Sequence, residues 1–254
     1  MKAWLATLAS LVMAPIAMAH LGPHPEPGVE FEQRIGAALP LSLPFVNGTG
    51  TPETLGHAMR GRPLVLVFGY LGCRDLCAMT VPGVAEALDR AGLRAGRDYR
   101  AVFADIAPEE GAATLAEGPA RLPAVDRPAW TFLGANAGSI HALAEAASFR
   151  YRYEPDRAAY AHPAGFVVVT PAGLVSRYFM GVRFEPSAVR EAVATAAAER
   201  TGSLADRLLL LCYHFDPSTG RYSATILQAF RVAVVGAFLI GVGLLARRRM
   251  GRAR

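Results

Sequence analysis

Hydrophobic residues fall along the chain in short blocks, and the blocks predict strands alternating with helices. Leu64-Val65-Leu66-Val67-Phe68 is a continuous apolar run, the mark of a strand buried on both faces. Gly69-Tyr70-Leu71-Gly72 follows as a turn, and a helical pattern starting near Asp75 carries Leu76, Val84, Leu88 and Leu93 toward one side. Tyr99 to Phe103 reads as the next strand, Ala112 to Glu117 as a short helix, and Trp130 to Leu133 as an extended piece whose Trp130 and Phe132 belong to the core. Ser139 to Phe149 is an amphipathic helix with Ser139 placed to open it. Gly165 to Thr170 and Leu174 to Phe179 flank Pro171-Ala172-Gly173 as a hairpin. Glu185-Pro186 starts a last helix that ends near Arg200, with proline in its first turn. Arg34 to Arg62 is loop-like, with a turn signal at Asn47-Gly48. The alternation predicts an α/β sandwich around a central sheet.

The two ends carry a different pattern. Met1 to Ala19 opens with Lys2, runs through an apolar stretch and closes on Ala17-Met18-Ala19, as a secretory signal does. We expect cleavage, with His20 as the new N-terminus; the alternative is an uncleaved anchor. Ile226 to Ala246 is mostly apolar and carries no charge after Arg231, which can snorkel toward the headgroups. Its glycines are ordinary in a transmembrane helix, and the arginines that follow are cytoplasmic by the positive-inside rule. The expected layout is a signal at 1–19, an irregular lead-in at 20–34 and a domain at 35–200. A linker at 201–225, a transmembrane helix at 226–246 and a basic cytoplasmic tail at 247–254 complete it. The protein is thus expected to cross a bacterial inner membrane once, with the domain in the periplasm and the last helix in lipid.

Charge does not alter this picture. The formal net charge of +5 is matched by Arg247, Arg248, Arg249, Arg252 and Arg254, so the basic character argues for no nucleic-acid partner. Hydrophobic residues make up 52% of the chain, enough for both a core and a span.

Three cysteines are too few for a disulfide framework. Cys73 and Cys77 lie where a buried strand feeds a turn and then a helix, a setting that stabilises thiolates. Spacing of four on a helical turn puts two thiolates on one face, about 5–6 Å apart. That suits a shared soft cation such as Cu(I) better than a disulfide, which wants roughly 3.5–4.5 Å between Cβ atoms. A local structural disulfide and dithiol exchange stay open on the residues alone. Asp75 is a candidate helix cap.

The stretch Phe68-Gly69-Tyr70-Leu71-Gly72-Cys73-Arg74-Asp75-Leu76-Cys77 closely resembles the metal-binding motif of the SCO/SenC family of cytochrome c oxidase assembly proteins. Phe103 to Pro108 is similar to that family's strand ending in an Asp-Pro element, and the likeness runs over roughly Ile35 to Ala198. Arg74 and Ala78 stand where the motif has prolines, and Ala161-His162-Pro163 stands where the family has Asp-His-Thr or Asp-His-Ser. The resemblance implies a thioredoxin-like three-layer α/β sandwich with a copper site of Cys73, Cys77 and His162. It implies delivery of copper, as Cu(I) or Cu(II), to the Cu(A) centre of oxidase subunit II without catalytic turnover. The alternative is a thiol-disulfide oxidoreductase acting on that subunit or another partner, with Cys73 and Cys77 as the redox pair and a thiol reductant protein as its own partner. Cys212 and His214, near the expected span, form a second soft-ligand pair, against a plainer reading as a buried cysteine in an interfacial aromatic cluster. His20 and His24 are candidates for Cu(II) near the new N-terminus.

Overall fold

The alternating blocks close into one mixed seven-stranded sheet with helices on both faces. The computed structural model describes residues 29–73, 76–123 and 127–201, plus the backbone of a short antiparallel strand pair at 215–216 and 221–222. At Glu30, Leu76 and Cys77 the description covers the backbone only. In chain order, β1 (Glu30–Phe31) precedes the hairpin of β2 (Pro44–Asn47) and β3 (Pro52–Thr54), and α1 (Leu55–Met59) follows it. Next come β4 (Leu64–Gly69), α2 (Thr80–Arg90), β5 (Arg100–Asp105), α3 (Ala112–Glu117), β6 (Trp130–Gly134) and α4 (Ala137–Ala146). β7 (Phe149–Arg150) pairs with β1, and β8 (Arg152–Glu154) with β9 (Ala159–Ala161). β10 (Gly165–Val169), β11 (Val175–Met180) and α5 (Pro186–Ala197) complete the domain.

Strand order in the main sheet is β11-β10-β4-β5-β6-β2-β3. The central β4, β5 and β6 are parallel, and β10 and β2 run antiparallel to them on either side. Parallel strands need crossovers, and the crossover helices cover the faces, so such strands carry unbroken apolar runs. Every residue of β4, β5 and β10 is buried. Successive residues then serve opposite cores. Leu66, Val102 and Val167 pack with Leu55 and Leu143 on one side, while Val65, Ala101 and Val168 pack with Val84, Leu88 and Val189 on the other. Helix, sheet and helix make three layers, and Trp130 and Phe132 are core residues as expected.

Several expected boundaries move, each for a local reason. The helix expected from Asp75 begins at Thr80, with Met79 at its N-cap, after a 3-10 turn over Leu76–Met79. Pro82 explains the delay. In the first turn of a helix its missing N–H is one that has no partner anyway, whereas in a helix begun at Asp75 it would break the interior ladder. Asp75, the candidate cap, lies outside the described residues. α4 opens at Ala137 rather than Ser139, because Asn136 is the cap and its Oδ1 accepts the Ser139 N–H at 3.0 Å. α5 starts at Pro186, as expected, with Glu185 as its N-cap, and ends at Ala197 rather than near Arg200.

The segment expected to be loop, Arg34 to Arg62, contains β2, β3 and α1. Its turn signal was sound: Asn47 Oδ1 accepts the N–H of Thr49 at 3.0 Å and of Thr51 at 3.1 Å. The flanking strands are only four and three residues long, and Pro52 on the outermost strand, β3, donates to no ladder, so neither leaves a strand-like run in the sequence. Among the described residues no helix is long and apolar enough to cross a membrane. The expected signal at 1–19, span at 226–246 and basic tail, with His20, His24, Cys212 and His214, lie outside the described residues.

Candidate metal centre

β4 delivers the cysteine segment to the edge of the sheet. The strand ends at Gly69, and the Cys73 N–H donates to Tyr70 O at 3.3 Å, closing a turn before any helix begins. Cys73 is 5% exposed and disulfide-bonded. The expected regular helical turn with both thiolates on one face is thus replaced by this turn and the 3-10 segment that holds Cys77.

Charged groups from distant loops hold the turn. Glu110 Oε2 accepts the Leu71 N–H at 2.8 Å, and Oε1 accepts the Gly72 N–H at 2.7 Å. The Arg121 guanidinium donates to the Leu71 carbonyl. Beneath them Asp105, at the end of β5 and paired in register with Gly69, is 1% exposed. Its Oδ1 accepts the Ala107 N–H at 2.9 Å. Its Oδ2 is buried and has no partner among the described residues while both carboxyls are ionised, since neither then donates. A proton on Asp105 supplies the missing hydrogen bond to Glu110. Burial first, and then this neighbour, push the Asp105 carboxyl up to about 9.

The histidine arrives from the other side. His162 follows β9 and precedes β10, so the small β8–β9 hairpin and the buried β10 fix it from both ends. Its ring lies edge-on to Tyr70, centroids 5.9 Å apart, and 5.9 Å from the ring of Phe149. Gly69 leaves room beneath: a Cβ there would meet Phe103 at 3.1 Å and His162 Cε1 at 3.8 Å. His162 Nδ1 lies 3.0 Å from Pro163 O, and a backbone carbonyl can only accept, so Nδ1 carries the proton. Nε2 is buried with no hydrogen-bond partner among the described residues. Burial lowers the histidine pKa and keeps the ring neutral. A neutral imidazole whose far nitrogen is held by a carbonyl, and whose near nitrogen offers an unused lone pair, is the form that ligates a metal. The donor set therefore fits a soft cation once Cys73 is reduced.

The fold thus brings the Cys73 turn and His162 to one end of β4, two sequence segments far apart. Glu110 and Arg121 were not singled out from the sequence. Their only signal was a pair of glutamates directly after Pro108, and nothing in periodicity says which backbone amides a carboxylate will meet.

A search of curated proteins returned no match. Among solved structures, the fold is similar to an Aquifex aeolicus protein with 20% identity and TM-score 0.59, covering 65% of this chain and 95% of that one. It is similar to Arabidopsis thaliana ScoI with copper bound, at 19% identity and TM-score 0.53, covering 65% and 99%. BsSco, described as a member of the Sco family of cytochrome c oxidase assembly proteins with a disulfide switch, matches at 18% identity and TM-score 0.52, covering 65% and 98%. These likenesses establish the thioredoxin-like Sco fold. The family model described as SCO1/SenC matches residues 41–198, more than half of the sequence, and the chain belongs to the SCO1/SenC family.

Proposed function

We propose that this protein is a membrane-anchored periplasmic copper chaperone that helps to assemble the Cu(A) centre of cytochrome c oxidase, acting on subunit II. Copper is its cargo, held by the Cys73 and Cys77 thiolates and by His162 Nε2. The observation that carries the reading is the buried Nε2 of His162, without a partner among the described residues, beside the turn that bears Cys73. Leaving such an atom unpaired costs about 1–3 kcal/mol, which a ligand role explains. Support also comes from the family and from the copper in the Arabidopsis thaliana relative. The layout expected from the sequence, with a signal at 1–19, a domain at 35–200 and a span at 226–246, places the site outside the inner membrane.

Loading requires reduction first. A dithiol partner transfers two electrons, and two protons enter, converting the Cys73 disulfide to two thiols while the partner is oxidised to its own disulfide. Deprotonated, the two sulfurs then take Cu(I), with Cu(II) as the second candidate.

Titration of the reduced full-length protein with Cu(I) tests the reading. We expect one Cu(I) per chain, lost in Cys73→Ser and weakened about 10-fold or more in His162→Ala, in line with the loss of a ligand-shell group. Copper binding unaltered in His162→Ala would sink the three-ligand site. A second reading is favoured by one observation, the disulfide at Cys73: a thiol-disulfide oxidoreductase that reduces cysteines of the same subunit or another partner. In that case His162→Ala leaves the exchange rate with a model disulfide unchanged and Cys73→Ser abolishes it.

A further inference from the structure

Two neighbouring glutamates reach in opposite directions from the loop that follows β5. Glu110 turns toward the cysteine side and takes the N–H groups of Leu71 and Gly72 at 2.8 and 2.7 Å. Glu109 turns toward the histidine side, where its Oε2 accepts the Tyr160 O–H at 2.9 Å. Tyr160 lies in β9, two residues before His162, and its ring meets that of Tyr70 at 5.6 Å. Tyr70 in turn meets the His162 ring and hydrogen-bonds through its carbonyl to Cys73. The loop itself is anchored. The Ile106 N–H donates to Gly69 O at 2.8 Å, and the Glu110 N–H donates to Ala107 O at 3.0 Å.

We infer that Glu109 and Glu110 are positioning residues, a two-armed brace on one loop that sets the distance between the cysteine turn and His162. The inference rests on the proposed three-ligand site and deepens it. A short covalent link between the two anchoring carboxylates leaves little freedom between the segments they hold. Each arm acts through a different ligand: Glu110 through Cys73, and Glu109 through Tyr160 on His162. A loop that merely closed the chain would need neither contact, since its backbone is already tied to Gly69 and Ala107.

Tyr160→Phe is the cleanest cut, because it removes one hydrogen bond, keeps the ring contacts and changes no charge. The first measurement needs no copper. Nitrogen-15 histidine NMR of the reduced, metal-free full-length protein should show His162 as a single Nδ1–H tautomer in the parent and an averaged signal in Tyr160→Phe. An unchanged tautomer signal overturns the brace, whatever the fate of the copper reading. The second is a double-mutant cycle on Cu(I) affinity. Tyr160→Phe should weaken binding about 10-fold in the parent, as outer-shell partners of metal ligands do, and have no further effect in the His162→Ala background. Glu110→Gln should weaken it in both backgrounds, because its arm works on the cysteine side. Equal losses from Tyr160→Phe with and without His162 would overturn the assignment in favour of a general effect on stability. Absence of Cu(I) binding in the parent, with the tautomer result as expected, would instead remove the metal reading and leave Glu109 and Tyr160 as holders of His162 for some other role.

Discussion

The turn before Cys73 is held by charged groups, whereas the His162 ring is held by aromatic ones. On the cysteine side, Glu110 and Arg121 together engage two N–H groups and one carbonyl of two consecutive residues, and a buried carboxyl lies underneath. On the histidine side, Phe149 and Tyr70 flank the ring, and among the described residues its one polar tether is to the carbonyl of the next residue. Charged hydrogen bonds fix direction and are sensitive to pH. Ring packing fixes volume and responds to cavities. In the proposed function the cysteine turn changes its covalent state when the disulfide opens, so directional bonds that survive a small backbone shift suit it. As the proposed ligand, the histidine needs only to keep one lone pair aimed, and a close-packed cage does that without competing for the lone pair.

Emptying the aromatic cage should produce the largest effect. Phe149 is 2% exposed, stacks on Phe68 at 4.6 Å and meets Phe31 edge-on at 5.2 Å. Phe149→Ala opens a cavity beside His162 and should cost about 3–5 kcal/mol of folding stability. Urea unfolding of the metal-free protein measures it. A loss under about 1 kcal/mol would mean that the cage collapses easily and that packing is not what holds the ring.

Charge on the cysteine side should show as a pH dependence of opposite character. The Asp105 carboxyl is raised to about 9 in the folded protein, and its unfolded value is about 4. Between those values the folded state keeps a proton that the unfolded state has lost. Stability contributed by this group is therefore complete below about pH 4, falls as pH rises and levels off above about 9. Asp105→Asn removes the titration and can still donate to Glu110. It should be more stable than the parent at pH 8 by about 1–3 kcal/mol, with the advantage shrinking toward pH 5. Equal stabilities at both pH values would show that the two carboxyls do not share a proton.

The same contrast separates what was legible in the sequence from what was not. The Leu64–Phe68 run told of a strand covered on both faces, and Pro171-Ala172-Gly173 told of the β10–β11 hairpin, because both signals are local. Cys73 and Cys77 stood out by spacing, but the helix they were expected to share starts later, since Pro82 is tolerated only in a first turn. His162 came from family likeness, not from any pattern of its own. Glu110 and Arg121 were invisible because their partners are backbone groups of Leu71 and Gly72, and backbone groups leave no mark in a sequence. The strand expected to end at Phe103 runs on to Asp105, which the sequence marked only through the family likeness, and its burial against Glu110 depends on a loop whose path no periodicity encodes.

The smallest expected effect sharpens the comparison most. In His162→Phe the orphaned Nε2 and the tethered Nδ1 both become carbon, in a space already flanked by Phe149 and Tyr70. The lost bond to Pro163 O is worth about 1 kcal/mol, and removing a buried unpaired acceptor returns a similar amount. Stability of the metal-free protein should therefore change by less than about 1 kcal/mol, while Cu(I) affinity drops as in His162→Ala. On the cysteine side an exchange at Glu110 or Arg121 is not neutral in this way, since it strands the backbone groups of Leu71 and Gly72 that they engage. A large loss of stability in His162→Phe, with the copper affinity kept, would make His162 a structural residue and leave the two thiolates to hold the metal without it.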